Sequence, residues 1–459
     1  MSMSQNLKRS VCLYSLLCGS FVSIPAHAQS MQEAMRQAIE NHPIAQQSQS
    51  AIGMAEEDKA SARSGFFPEI NFGVTGGRVY QDNATSRGLS VTRGAAYSGY
   101  GEGTASLRQM IFDGNSTLNR FRASNSEKKS AEFQLIDTQE QIAFNTALRY
   151  VSILQAREVL AKLENHQKEI RDYSARIEDM VNEGAADGAE LQQAKRLLSL
   201  LDSLRTDYLD QLRREEANFQ ELTGVPAYDD MEKPVLIHDW IPENEAAAIE
   251  VASFNHPAIM AAKEKVEVAA HQVDAERGEL YPEIFGELSY LEQDKREQIG
   301  GELTDARAVL RMNWQLETGG GQLANIARRK YEQTDAMAKE DGVRRQVERD
   351  IRLAYTQKAT TQRRIKEQQE QLDLNKQLYA TYKTQFDGGL VTLLQLMQAQ
   401  DQLFSSEIQM LVNGYQDLGA DIGIIASLGR LQQVVLNEVG NNDVTFGVGA
   451  SPAESALNE

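Results

Sequence analysis

The sequence predicts a mainly α-helical chain that twice breaks off into a β-hairpin, built as two copies of one unit. Three observations carry this. The segment from Asn41-His42-Pro43 to Pro68-Glu69-Ile70 recurs as Asn255-His256-Pro257 to Pro282-Glu283-Ile284, every anchor 214 positions further on. In both copies a polar, Ala-rich stretch of helical character ends at proline and gives way to alternation of period two. Residues 116–182 then contain neither proline nor glycine. A single helix there would run about 100 Å at ~1.5 Å per residue, far longer than a globular core needs.

The N-terminus reads as a targeting segment. Lys8 and Arg9 are followed by an apolar core, Val11 to Val22, and by Ala26-His27-Ala28, a small-residue cleavage signal. Residues 1–28 are therefore expected to be a signal peptide, with the mature chain starting at Gln29. Both cysteines, Cys12 and Cys18, fall inside it, so the mature chain is expected to lack disulfides, cysteine-ligated metal and a lipid-anchored cysteine. Past residue 30 no run of 18 apolar residues occurs, which excludes an ordinary membrane-spanning helix. The net charge of −19 becomes −21 once Lys8 and Arg9 are removed, which argues against nucleic acid as a partner.

The first repeat is placed at 29–224. Its helix is broken at Asn41-His42-Pro43, where Asn suits a cap and Pro the first turn of a new helix. His42 and His256 are read as helix punctuation rather than metal ligands. A hairpin follows at about 68–112. Ile70, Phe72 and Val74 alternate with Glu69, Asn71, Gly73 and Thr75, and a Gly/Ser/Thr/Arg-rich tip leads into a returning strand. Asp113-Gly114 ends the hairpin, the long helix follows, a turn falls at about 183–188, and a helix returns to Leu222-Thr223-Gly224. Residues 225–242, with Pro226, Pro234 and Pro242, form an irregular connector.

The second repeat is placed at 243–429, with its hairpin at about 282–317 and its helical turn at about 387–391. In its fourth strand Ala306, Ala308, Leu310, Met312, Trp314 and Leu316 share one face. In the third strand Phe285 and Gly286 swap the expected faces. Phe404, Ile408, Leu411, Tyr415, Leu418, Ile422 and Ile425 step by four and three, a heptad seam for a neighbouring helix. That seam does not superpose on residues 199–220, so the two returning helices are expected to face different neighbours. Past the hairpins the repeat spacing falls from 214 to 205, which makes the first hairpin nine residues longer and the outer mouth only pseudo-sixfold. Residues 430–459 are expected to be a disordered tail.

Four strands with one apolar face cannot close a barrel, and open edges in lipid leave backbone groups unsatisfied. A membrane barrel therefore needs several copies, and three would supply twelve strands. Strands of about nine residues, as at 283–291, suit a membrane crossing. The rows Ile70/Phe72/Val74 and Leu310/Met312/Trp314 would face lipid.

The paired Asn-His-Pro segments, the paired Pro-Glu-Ile strand starts, the exits Asp113-Gly114 and Thr318-Gly319, and the turns Glu183-Gly184-Ala185 and Gly388-Gly389-Leu390-Val391-Thr392 resemble, in order and in duplicate, the outer-membrane efflux protein family typified by TolC. The resemblance covers residues from about 30 to 430. It implies a homotrimer: a twelve-stranded β-barrel in outer-membrane lipid continued by a long α-helical barrel in the periplasm, with no cofactor and no catalysis. Pro68, Pro282, Gly114 and Gly319 would be the helix–strand junctions. A periplasmic adaptor would dock on the tips Gly184, Ala185 and Ala186 and Gly388, Gly389, Leu390 and Val391. Many members close the periplasmic entrance with aspartate rings. The matching positions here are Gln395 and Gln398, a departure from that acidic pattern, with Asp387 and Glu190 as nearby candidates for gate charge. The function implied is the exit duct of a tripartite export machine with an inner-membrane ABC transporter or proton-driven pump. The absence of a lipid-anchor cysteine and the run Leu107-Arg108-Gln109-Met110-Ile111-Phe112-Asp113-Gly114 favour the type I protein secretion subgroup. Small-molecule or multidrug efflux is the alternative, and a soluble periplasmic coiled-coil adaptor or structural protein is the third reading.

Overall fold

The computed structural model describes residues 29–80, 97–234, 241–295, 302–316 and 318–436. The expected signal peptide, the first hairpin's tip at 81–96, connector residues 235–240, the turn at 296–301 and tail residues 437–459 lie outside the described residues. In chain order the elements are α1 (Met31–Asn41), α2 (Pro43–Ser64), β1 (Glu69–Tyr80), β2 (Tyr97–Phe112), α3 (Ser116–Asn182), α4 (Gly188–Thr223), α5 (Glu245–Asn255), α6 (Pro257–Gly278), β3 (Glu283–Lys295), β4 (Glu302–Asn313), α7 (Gly321–Asp387), α8 (Leu393–Ser427) and α9 (Leu431–Leu436).

The helical breaks at the start of each half are capped by histidine, not by the asparagine before it. Nδ1 of His42 accepts from the Ile44 N–H and Nδ1 of His256 from the Ala258 N–H, each at 3.2 Å, with proline as the first helical residue. Burial pushes His256 down to about 4, so the neutral, accepting ring persists at neutral pH.

The four strands form one antiparallel sheet in the order β1-β2-β3-β4, so the two hairpins are joined by β2 pairing with β3. The strands run 12, 16, 13 and 12 residues, longer than the expected nine. Directly paired residues share a face. Ile70, Leu107, Leu288 and Ala308 therefore form one row, and Phe72, Ala105, Tyr290 and Ala306 the next. The opposite face carries Glu69, Arg108, Glu287 and Val309, then Asn71, Ser106, Ser289 and Arg307. The face swap at Phe285 has a cause. Phe285 lies on the polar face beneath the Arg108 guanidinium, 3.8 Å from its ring centroid, and is buried. A bulge between Met110 and Phe112 turns Phe112 onto the Ile284 side.

The helices pack side by side. α3 is flanked by α2 and α4 on one side and by α6 and α8 on the other, whereas α7 packs on α6 and α8 and, through Val347 and Ile351, on α5. The different neighbours of the two returning helices follow. α4 buries only Leu191, Ala194, Leu201, Phe219 and Thr223, against α3, α1 and, near the helical turns, α8, while α8 is held between α3 and α7 along its heptad seam. Small residues such as Ala143, Ala147 and Ala156 let the backbones approach, and Tyr150, Ile153, Ile422 and Ile425 fill the space between. The Tyr150 hydroxyl lies 2.5 Å from the Gln29 carbonyl and 2.7 Å from that of Glu232, beside a parallel bridge between Gln29 and Met231. This ties the start of the described chain to the connector.

The expected tail needs correction. The tail does not lose structure at 430. Residues 431–436 form α9, Leu431 is buried against Met31 and Met35, and the buried Glu140 carboxylate accepts the backbone N–H groups of Leu431 (2.7 Å) and Gln432 (2.8 Å). A local reading of composition misses this because the stabilising partner belongs to the other half of the chain. At the second strand-to-helix exit the left-handed residue is Gly320 (φ 76°), next to the expected junction residue Gly319. Gly320 is the counterpart of Asn115 (φ 66°) at the spacing of the repeat, and each is the N-cap of a long helix.

Candidate functional site

Two surfaces carry the chemistry of this chain: the sheet with its helix–strand junctions, and the helical turns at the far end of the long helices.

At the first junction Gly114 (φ 66°) crosses the backbone of Gly278. A Cβ on Gly114 would sit 2.3 Å from the Gly278 carbonyl oxygen, and one on Gly278 would sit 2.9 Å from that of Gly114. Only glycine fits either position. The Asp113 carboxylate accepts the Thr117 N–H at 2.7 Å and starts α3. Pro68 and Pro282 stand one residue before β1 and β3, where a missing N–H costs the ladder nothing. Gly319 has open space around it and carries no comparable constraint.

The sheet's apolar face is open. Phe72 is 81% and Val74 91% exposed, and Leu310, Met312 and Trp314 are exposed as well. The other face is polar and ion-paired, with Arg311 3.2 Å from Glu287 and Arg307 bridged to Asp305. Among the described residues β1 and β4 each have one edge with no strand beside it. A sheet with one apolar face, one charged face and two open edges is suited to be a stave of a wider barrel around a polar lumen.

The two helical turns are built alike, one at each copy of the repeat. Gly184 (φ 75°) and Gly389 (φ 72°) take the left-handed conformation that ends a helix. The next residue's N–H reaches back five positions: Ala185 to the Met180 carbonyl (2.7 Å) and Leu390 to that of Gln385 (2.9 Å). Asp187 then caps α4 through the Ala189 N–H, and Thr392 caps α8. The outward residues differ. Ala185 and Ala186 are small, whereas Leu390 is 79% exposed beside Gly388 and Val391.

The candidate gate residues lie just behind the turns. Gln395 is occupied locally: its N–H donates to Thr392 Oγ1 (3.2 Å) and its Oε1 accepts the Thr392 N–H (2.9 Å), a reciprocal cap. Gln398 Nε2 donates to Gln193 Oε1 at 3.4 Å, linking α8 to α4. Asp387 ends α7 exposed, and Glu190 sits in the first turn of α4, half-buried. Gln193 was not singled out from the sequence, yet it is the counterpart of Gln398 in the first repeat, so the repeat spacing already pointed to it. Leu393, Leu394, Leu396 and Met397 fill the space between α3, α4 and α8, and His166 stacks on Phe404 at 3.9 Å with its Nε2 3.2 Å from Asp401.

Comparison with known proteins adds a consistent likeness. The sequence profile of the family described as "Outer membrane efflux protein" matches residues 34–225 and 248–430. The chain is 23% identical over 440 residues to the outer membrane efflux protein BepC of Brucella suis, covering 92% of this chain and 91% of that protein. Its fold is similar to that of a membrane protein from Pseudomonas aeruginosa (TM-score 0.76, 18% identity, 87% of this chain and 90% of the other). It is equally similar to the CmeC outer membrane channel of Campylobacter jejuni (TM-score 0.75, 17% identity, 97% of this chain and 100% of the other).

Proposed function

The chain belongs to the outer membrane efflux protein family and resides in the outer membrane, and we propose that three copies of it form the exit duct of a tripartite export machine, receiving cargo from an inner-membrane transporter through a periplasmic adaptor. The open-edged sheet carries this reading. One chain supplies four strands, an exposed apolar face and two unpaired edges, an arrangement that is costly in lipid unless neighbouring copies satisfy the edges. α7 supports it independently. Leu353 and Leu374 are exposed, while Ile351 and Leu372, two residues earlier in each case, are buried. Positions two apart on a helix point about 200° away from each other, so α7 carries exposed apolar side chains off its packed face, Leu353 at the rim of the groove shared with α3, α6 and α8 and Leu374 on the open surface. Fractionation tests the reading. A heat-modifiable trimer in outer-membrane extracts is expected, and a soluble periplasmic monomer would overturn it.

In this reading Gly184, Ala185 and Ala186 and Gly388, Gly389, Leu390 and Val391 dock the adaptor, and the periplasmic entrance is closed by amides rather than by carboxylates. Three copies bring six glutamines, Gln193 and Gln398 from each, to one level. The double variant Gln193→Ala/Gln398→Ala should raise single-channel conductance in planar bilayers, while Asp387→Asn and Glu190→Gln should leave it near wild type.

For cargo, the run Leu107-Arg108-Gln109-Met110-Ile111-Phe112-Asp113-Gly114 supports type I protein secretion, with an ABC transporter as the inner-membrane partner. The relatives' own description as efflux proteins favours a second reading, small-molecule efflux beside a proton-driven pump. A deletion strain separates them: loss of a secreted protein supports the first, and dye accumulation with an unchanged secretome the second.

A further inference from the structure

Below the barrel the outer surface of the helices carries a set of arginines that the duct itself does not use. Arg63 lies in the last turn of α2 and Arg277 in the last turn of α6, at matching positions of the two repeats. Each is followed four residues later by an exposed aromatic, Phe67 (59%) and Tyr281 (58%), just before a strand begins. The Arg63 guanidinium lies 5.9 Å from the centroid of the Phe67 ring.

The side of the layer on which these groups lie can be read from two directions. The cavity shared by α2, α3, α6 and α7 is lined by Asp58, Ala62, Arg120, Glu276, Glu279 and Arg329 among others, and there the charges pair, Arg120 with Glu279 (2.8 Å) and Arg329 with Glu276 (3.4 Å). At about 100° per residue Arg63 and Arg277 fall on the opposite faces of α2 and α6, and the exposed Arg122 on the opposite face of α3. From above, Trp314 continues the apolar row Leu310/Met312 and donates its indole N–H to the Leu280 carbonyl (3.2 Å), next to Tyr281. The aromatics at the foot of the sheet are thus continuous with its lipid-facing surface.

Arg63 and Arg122 make no ion pair among the described residues, and Arg277 has only an exposed contact to Asp274 (2.9 Å), three residues earlier. Such exposed pairs contribute little and exchange readily. In a chain of net charge −19, Arg63 and Arg122 left unpaired, and Arg277 held only by an exposed neighbour, one turn (~6 Å) below an aromatic row call for an anionic counterpart outside the protein.

We propose that Arg63, Arg122 and Arg277 form a phosphate-binding collar for phospholipid headgroups of the leaflet on the helical side of the membrane, with Phe67, Tyr281 and Trp314 seated at the glycerol level above them. The inference rests on the membrane reading of the sheet. In a trimer it gives nine arginines around the duct, which fix how deeply the barrel sits and keep the helical part upright beneath it.

The test uses the full-length trimer in detergent, titrated with short-chain phosphatidylglycerol or phosphatidylcholine and followed by native mass spectrometry. Wild type is expected to bind phosphatidylglycerol in preference, and more weakly at high salt. Each Arg→Gln change should lower that binding about fivefold. Arg214→Gln, on α4 and far from the sheet, should leave it unchanged. Equal binding of phosphatidylglycerol by wild type and by Arg63→Gln/Arg122→Gln/Arg277→Gln would overturn the collar, as would a preference for lipid A with none for phosphatidylglycerol. Failure of wild type to enter lipid nanodiscs at all would instead overturn the membrane reading on which the collar depends.

Discussion

α3 and α7 are both 67 residues long and occupy the same place in the two halves, yet α3 is buried at intervals from Ser116 to Ile177 and α7 only at Ile326, Val347, Ile351, Thr361 and Leu372. Composition does not account for this, since both are polar, proline-free and rich in helix formers. Position does. α3 has neighbours on both flanks within its own chain, and α7 has them on one flank, with the apolar residues of its bare side left in solvent. A duplicated unit placed side by side buries its internal junction and repeats the same junction, half-made, at its ends. The lesson is that exposure here measures unfinished assembly, not surface character.

The comparison can be broken first on the covered side of α7. Lys358 lies 2.9 Å from Asp417 and 2.7 Å from the buried Asp421 of α8. Burial by itself would lower the lysine, but the two carboxylates outweigh it and hold its pKa above the usual value. Lys358→Met removes the positive charge beside Asp421 and should cost about 3–5 kcal/mol, read as a lower thermal midpoint of the helical circular dichroism signal. An unchanged midpoint would mean that α7 is held chiefly from its other flank.

The next contrast sets Leu163 on α3, fully buried, against Leu374 on α7, 64% exposed. Leu163→Ala should destabilise the folded chain by about 2–5 kcal/mol. Leu374→Ala should leave the helical signal of the chain intact and lower the temperature at which the trimer dissociates on unboiled gels. If both act alike on both measures, the bare stripe of α7 is not a contact between copies.

The smallest effect concerns pH. Burial pushes the Glu140 carboxyl of α3 up to about 7, with Asp137 nearby adding to the shift against the two N–H donors of α9. The folded state therefore holds this proton more tightly than the unfolded chain, whose carboxyl titrates near its usual value of about 4.3. Stability from this group is gained as pH falls from about 7 towards 4.5, and Glu140→Gln should remove that part of the slope in thermal midpoint against pH. The matching position of the second repeat is Arg345, which is exposed, so Arg345→Gln should leave the slope untouched.

Much of the molecule was legible because its signals are local. The helix-to-strand switch at Pro68 and Pro282, the left-handed turns at Gly184 and Gly389 and the seam from Phe404 to Ile425 all lie in short windows. In such windows the period, a proline or a glycine constrains the backbone directly. The gate was half legible. The repeat spacing of 205 already paired Gln193 with Gln398, but nothing short of coordinates says that these two amides touch. The collar was harder to see, because Arg63 and Arg277 are ordinary surface residues until the faces of three helices and the foot of the sheet are known together.

By itself, then, the sequence determined the duplicated order of helix, hairpin, long helix, turn and helix, and which face of the fourth strand is apolar, since these follow from covalent spacing and side-chain periodicity. Tertiary structure alone decided that β2 pairs with β3 so that the hairpins share one sheet. It also decided that Phe285 hides under Arg108, that Glu140 holds α9 in the core, and that α7 is left half bare. Each of these depends on groups far apart in the chain. Bringing such groups together is decided by packing and by satisfying buried polar atoms across the whole chain, which no local pattern records.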